Sequence, residues 1–222
     1  MSAAAGEPQM GWDPAPQRGW VAPAVAEEFT GLGIAWTTVE ASSGRSPRQV
    51  KERLRELSNR FYGSHAITMR ERPIPWAYRV FFRQIGLDPD RTRTPVEQLA
   101  FERLHDGAFL SAGLPTDALT IATVETGVAL RAFDAGQIDG RLCIRDSAPG
   151  ESLPGKPGKL AQGTLTIADE RAPLELLFGG TVADEQSEPG SGRIAIVAVQ
   201  VKGVPQAAID EALWIACAAI EA

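Results

Sequence analysis

The stretch from Leu114 to Glu151 reads LPTDALTIATVETGVALRAFDAGQIDGRLCIRDSAPGE, and within it the chain changes character. Its first part predicts a short helix from Thr116 to Thr126, with Asp117 in the first turn, where a carboxylate interacts favourably with the helix dipole. After Gly127, short runs of high β-propensity follow, separated by turns rich in Gly and Pro. The stretch therefore predicts the junction between a helical part and a strand-rich part.

The flanking sequence agrees with this division. Upstream, GIAWTTVEA at Gly33–Ala41 predicts a strand, Ser46 is expected to cap a helix, and Thr94 with Glu97 forms a capping-box pattern before a third helix. Downstream, we expect short strands and then a C-terminal helix from Gln206 to Ala222. Helices that precede strands predict an α+β fold, with a helical half packed on a mostly antiparallel or mixed β half.

The domain organisation is expected to be simple. Residues 1–22 are rich in Ala, Pro and Gly and predict a loose N-terminal arm, and residues 23–222 predict a single domain. The sequence does not indicate an oligomeric state.

Charge is unevenly distributed along the chain. The whole chain has a net charge of -6 and a pI of about 5.1, which argues against a general nucleic-acid binder. From Arg45 to Arg93, however, twelve Lys and Arg residues stand against five Asp and Glu residues. This segment predicts either one phosphate-facing patch or a solvated surface with internal ion pairs.

Standard cofactor and catalytic motifs are lacking. The sequence has no phosphate loop, no GxGxxG after a strand and no GxSxG. Neither of its two histidines, His65 and His105, has a partner at the spacing of a known catalytic motif. Cys143 and Cys217 fall in apolar patterns and are expected to be buried, inert thiols. We expect no cofactor, no metal, no membrane segment and a cytoplasmic location.

A set of short motifs occurs in a characteristic order. The Leu114–Glu151 stretch contains an Asp at a helix start, a Gly turn, a small-residue strand ending in AFD, a strand ending in Arg, and a Gly-Glu pair. Upstream lies a Tyr-Arg-x-Phe helix within IPWAYRVFFRQIGLDPDRTRTPVEQL, and downstream lie ADE at 168–170 and FGG at 178–180. The matching positions are Tyr78, Arg79, Phe82, Gly86, Pro95, Asp117, Gly127, Ala132, Phe133, Asp134, Arg145, Gly150 and Glu151.

This order resembles the editing (B3/B4) domain of the phenylalanyl-tRNA synthetase beta subunit, over roughly residues 30 to 205. The resemblance implies a B3/B4 fold and hydrolysis of the ester that joins a wrong amino acid, tyrosine in that family, to the end of tRNA, without metal. It implies a pocket built from Arg79, Asp117, Thr120, Arg131, Asp134, Gly179, Gly180 and Gln200. The basic segment supplies the candidate RNA-binding residues, Arg48, Lys51, Arg55, Arg91 and Arg93.

Four positions depart from the family pattern. Arg131 stands where the synthetase has His, Thr120 where it has Asn, Ala129 where it has Pro, and Gln200 is the one polar residue on the late strand that carries a phenol-binding Glu there. A guanidinium recognises anions and does not act as a base at neutral pH. The pocket is therefore re-tuned for another aminoacyl group, or binds without catalysing, or Arg131 is structural and paired with Asp134 or Asp117.

The other candidate residues also have two interpretations. Arg79 faces the pocket or pairs with Glu97, Asp117 is a site residue or a helix-start charge, and Asp134 is a site residue or a turn carboxylate. Gly179 and Gly180 let backbone amides approach a ligand or simply make a turn.

Three functions therefore remain open at this point. They are a trans-acting aminoacyl-tRNA deacylase, a non-catalytic module that binds tRNA, an amino-acid-like ligand or a protein, and an unrelated small-molecule enzyme. The length and the lack of synthetic-site motifs predict that the chain does not charge tRNA by itself.

Overall fold

The computed structural model describes residues 15–41, 44–179 and 192–222, and it has an α+β architecture built on two four-stranded sheets. Its helices are α1 (Pro23–Glu28), α2 (Arg48–Arg60), α3 (Gly63–Met69), α4 (Pro73–Gln84), α5 (Pro95–Asp106), α6 (Thr116–Thr126) and α7 (Gln206–Ile220). Its strands are β1 (Gln17–Arg18), β2 (Trp20–Val21), β3 (Gly33–Ala41), β4 (Ala129–Asp134), β5 (Cys143–Asp146), β6 (Leu165–Ala168), β7 (Pro173–Leu176) and β8 (Gly192–Gln200).

The first sheet is antiparallel throughout and has the order β1-β3-β8-β4. Strand β8 lies between β3 and β4, and its residues 194–199 are buried without interruption. The apolar run that the sequence shows there is explained by this central position, because both faces of the strand are covered.

The second sheet has the order β2-β5-β6-β7. Strand β2 runs parallel to β5, and the other two pairs are antiparallel. Strand β7 leads directly into Phe178 and Gly179, so this sheet places those two residues.

Helices α6 and α7 cover the first sheet. Helix α7 packs on α6, β8 and β3, and its Ile209, Leu213 and Ala216 are fully buried. Helices α2 and α5 pack on α6 in turn. The predicted α+β class and the C-terminal helix are confirmed, although each sheet takes strands from both halves of the chain.

Tyr78 joins helix α4 to the first sheet through its hydroxyl. The side chain is 1% exposed, its Oη donates to the carbonyl oxygen of Val199 at 2.5 Å, and it accepts from the amide of Ala129 at 3.1 Å. Ala129 and Val199 are the pair at which β4 begins to align with β8. Burial raises the pKa of Tyr78, so the hydroxyl keeps its proton and its donor role.

Two sequence-based expectations need correction. Residues 17–21 are not a loose arm, because β1 and β2 pair with separate sheets and the amide of Gly19 donates to Ile34 at 2.9 Å. Residues 1–14 of the predicted arm lie outside the described residues. Ser46 does not cap α2, because its hydroxyl donates to Asp117 instead, and Pro47 occupies the cap position.

Replacing Tyr78 with Phe removes one hydroxyl and leaves a buried amide and a buried carbonyl without their partner. We expect the free energy of unfolding to fall by about 1–3 kcal/mol, measured by urea denaturation. Tyr62→Phe is the matched control, because Tyr62 is 56% exposed and its variant should unfold like the wild type. Equal stability of Tyr78→Phe and wild type would contradict the bridging role.

Candidate functional site

A cleft of about 1340 Å³ opens between α5, α6, β4 and the segment that joins α5 to α6. Residues from several separate parts of the chain line it, including 91–93, 108–116, 130–132 and 178–179. The helix-to-strand junction that the quoted stretch predicts forms one wall, since residues from Leu114 to Ala132 contribute along its length.

The described lining of the cleft is cationic. It contains six Arg or Lys side chains and two carboxylates, Glu102 and Asp106, in a chain whose net charge is -6. The lining cations are Arg45, Lys51, Arg91, Arg93, Arg103 and Arg131. Local concentration of one sign of charge in a concave site attracts ligands of the other sign, so the cleft favours an anion.

The rim and the floor of the cleft differ in chemistry. Arg45, Lys51, Arg91 and Arg93 are exposed, and within the described chain neither Arg45 nor Lys51 forms an ion pair. The buried lining is largely apolar and consists of Phe82, Phe109, Pro115, Leu130 and Phe178, together with the residue Thr123. The cleft is therefore matched to an amphiphilic ligand with an anionic part at the rim.

Arg131 lies on the cleft wall with a fixed orientation. Its Nε donates to Glu175 Oε1 at 3.0 Å, its Nη1 donates to the carbonyl of Leu130 at 3.0 Å, and its guanidinium lies 6.0 Å from the Phe178 ring centre. Asp134 is three residues along the strand and so points to the opposite face. Asp134 and Asp117 are therefore not the described ion-pair partners of Arg131, and Glu175 is one such partner.

Asp117 is 1% exposed and supports the wall from behind. Its carboxylate accepts from Ser46 Oγ at 2.6 Å, from Ser111 Oγ at 2.5 Å and from the amide of Ala112 at 2.8 Å. These bonds tie the start of α6 to two loops, and the amide of Leu114 adds a bond to Gly44 at 2.9 Å. Asp117 thus holds the rim in place without lining the cleft among its described residues.

Arg79 holds in place the part of the rim that carries Arg91 and Arg93. It is 5% exposed, and its guanidinium donates to Glu97 at 2.5 Å and to Asp90 at 2.6 Å. Glu97 also closes the predicted capping box with Thr94, which is confirmed. The loop that carries Arg91 and Arg93 is therefore anchored to α4, and the pairing of Arg79 with Glu97 holds.

Some of the remaining predicted site residues line the cleft and others do not. Thr120, Arg131 and Gly179 line the cleft, and Gly179 has a φ of 85°, which side-chain-bearing residues rarely adopt. Asp134 accepts from the amide of Gly136 at 2.8 Å as a turn carboxylate, and Gln200 donates to Val204 at 3.0 Å before α7. Neither of these two lines the described cleft. Gly180 lies outside the described residues.

The candidate RNA-binding residues lie on one connected surface. Lys51, Arg91 and Arg93 line the cleft, while Arg48 and Arg55 are exposed beside Lys51 on α2. Residues at these spacings share one helix face, so the basic surface continues from α2 to the rim.

Arg145 and Glu151, which belong to the quoted stretch, form a pair away from the cleft. Two guanidinium nitrogens of Arg145 donate to the two oxygens of Glu151 at 2.8 and 2.7 Å, and the amide of Ala148 adds a bond at 2.7 Å. The hydrogen bonds from Arg145 hold the pKa of Glu151 below its ordinary value, and burial opposes them in part. The pair closes the loop after β5.

The sequence did not single out several described residues of the cleft lining, among them Arg45 and Thr123. Arg45 belonged to the basic segment but was not singled out, and Thr123 was not considered. Thr123 lies three residues after Thr120, and this helical spacing was the signal that could have identified it.

Histidines and clusters of potential metal ligands are not found at the described cleft. Neither His65 nor His105 lines the cleft, and the described residues hold no group of three or more potential metal ligands. Cys143 is buried as expected, whereas Cys217 is only partly buried, and desolvation raises the pKa of both thiols. Among the described helices, none has the length and apolar character needed to cross a membrane.

Comparison with known proteins adds no assignment. Neither the family models nor the curated proteins contain a match to this chain.

Replacing Glu151 with Gln removes a paired carboxylate. Because the pKa of Glu151 is lowered on folding, its stabilisation is fully present above the ordinary value of about 4.5 and is lost as the pH falls through the lower folded value. We expect the variant to be less stable by about 1–3 kcal/mol at neutral pH, with the difference shrinking in acid. Urea denaturation across pH measures this, with Glu56→Gln, at an exposed position, as control. A difference that grows in acid would contradict it.

Proposed function

We propose that this chain is a B3/B4-type editing domain that binds the aminoacylated 3′ end of tRNA in the cleft and hydrolyses its ester. The proposal rests on the position of Thr120, Arg131 and Gly179, which belong to separate motifs and line the same cleft. The rim of this cleft is cationic. The arrangement of rim and floor supports a ligand with phosphates at one end and an uncharged group at the other.

Phosphate binding is supported by the rim. Arg45 and Lys51 are exposed cations with no ion pair in the described chain, and Arg91 lies 3.8 Å from the Asp88 carboxylate, a long and exposed contact. Exposed ion pairs of this kind contribute little, so these side chains are available to phosphates. The exposed face of α2 extends the same surface for several nucleotides.

Hydrolysis requires a positioned water and stabilisation of an oxyanion. Water attacks the ester carbonyl carbon, the carbonyl oxygen gains negative charge, and the bond to the ribose oxygen breaks, giving the free amino acid and a ribose hydroxyl. Arg131, whose position is fixed by Glu175, supplies positive charge at the wall, and Thr120 supplies a hydroxyl. Preorganised donors of this kind lower the barrier most in a water-poor site.

A second candidate function is binding without turnover. It is favoured by the described lining, which contains no histidine and has its two carboxylates on α5. Arg131 keeps its protons at neutral pH and does not replace a missing base.

A panel of tRNAs, each charged with a different amino acid, tests the proposal. We expect the wild type to hydrolyse at least one ester, and Thr120→Val and Arg131→Lys to slow it by about tenfold or more. The double variant Lys51→Glu, Arg91→Glu should weaken tRNA binding and flatten its salt dependence by about 0.7–0.9 for each lost phosphate contact. Lys202→Glu, an exposed charge outside the cleft lining, is the matched control.

The outcomes separate the two functions. Salt-dependent binding that requires the rim, with every ester left intact, would favour the non-catalytic module. Absence of tRNA binding, or equal binding by the rim variant and the Lys202 control, would overturn both.

A further inference from the structure

Helix α6 presents a row of three threonines to the cleft. Thr116, Thr120 and Thr123 are spaced four and three residues apart, so they fall on one face of the helix, and all three line the cleft. Their burial increases along the helix, from exposed Thr116 through half-buried Thr120 to Thr123, which is 4% exposed. The row therefore runs from the rim to the floor.

The row has a length that suits a small ligand. Seven residues of α-helix rise about 10 Å, which is the scale of a ribose joined to an amino acid. A ligand that lies along α6 with its ribose near Thr116 would place the end of its acyl group near Thr123.

Thr123 has a hydroxyl with no protein partner among the described residues. On the same helix, Thr126 donates to the carbonyl of Ala122 at 2.7 Å, which is the common way for a helical threonine to satisfy its hydroxyl. Thr123 forms no such bond, although its side chain is more than nine-tenths buried and lines the cleft. The Thr123 hydroxyl is not among the described side-chain atoms that are both buried and unpaired, so it is open to the cleft. A bound group that displaces water from this hydroxyl is favoured when it forms a hydrogen bond with it.

The surroundings of Thr123 limit the group that can occupy the floor. The other buried lining residues are apolar, and the charged Arg131 is already paired with Glu175. A charged group would lose its hydration there without a matching partner, whereas an uncharged group would not.

We infer that Thr123 is a specificity-determining residue that exchanges a hydrogen bond with a hydroxyl on the uncharged side chain of the bound acyl group. The inference rests on the proposed function. It differs from the family pattern in placing the polar reader on helix α6 and not on the late strand.

Non-hydrolysable amides of 3′-amino-3′-deoxyadenosine test this inference, because they report binding independently of turnover. Two near-isosteric pairs are compared by calorimetry: threonyl with valyl, and tyrosyl with phenylalanyl. For the pair that binds, we expect wild type to prefer the hydroxyl-bearing member by about three- to tenfold. Thr123→Val should abolish the preference, Thr123→Ser should retain it, and Thr68→Val, a control at an exposed threonine outside the described lining, should leave it unchanged. An unchanged melting temperature checks that each variant is folded.

The results distinguish the two proposals. Equal binding of both members by wild type, or a preference that survives Thr123→Val, would overturn the role of Thr123 while tRNA binding through the rim stands. Failure of every amide to bind would also overturn it. Failure of tRNA to bind as well would end the proposed function itself.

Discussion

The cleft depends on the way one face of α4 is fixed to three other parts of the chain. Tyr78 bonds to β4 and β8, and Arg79 holds Asp90 in the loop after α4 and Glu97 in the first turn of α5. The ring centre of Phe82 lies 4.9 Å from that of Phe178 on the cleft wall. All three side chains are buried, and each one contacts a different part of the chain. Because interiors are close-packed, movement of α4 would displace both walls of the cleft together.

The opposite wall depends on the carboxylate of Asp117, which is buried behind the described cleft lining. Asp117 accepts three hydrogen bonds from donors in two loops, and these loops carry part of the rim. A buried charge is tolerated where its lone pairs are satisfied, and three short bonds meet that condition. Buried charged side chains such as Arg79 and Glu97 are therefore paired with each other. Arg45 and Lys51, in contrast, are exposed and form no ion pair in the described chain. An acidic chain can in this way present a cationic cleft.

The sequence predicted local structure better than long-range contacts. Helix α6 matched its predicted bounds, because Asp117, Gly127 and the spacing between them are local signals. The strands at residues 17–21 were missed, because two-residue pairings depend on sheet edges that composition does not reveal. Arg131 lines the cleft, yet Glu175, with which it pairs, is 44 residues away, and no spacing rule connects them. The same limit concealed the bond from Ser46 to Asp117.

We propose that the 3′ end of tRNA enters this cleft. Photo-crosslinking tests this proposal most directly. A hairpin RNA ending in CCA, with a photoreactive group on its terminal nucleoside, would be irradiated with the protein, and the crosslinked peptides identified by mass spectrometry. We expect crosslinks within the lining segments, residues 108–116 and 130–132, that decrease when Lys51 and Arg91 are replaced by Glu. Crosslinks concentrated elsewhere, such as around exposed Trp214 on α7, would contradict it.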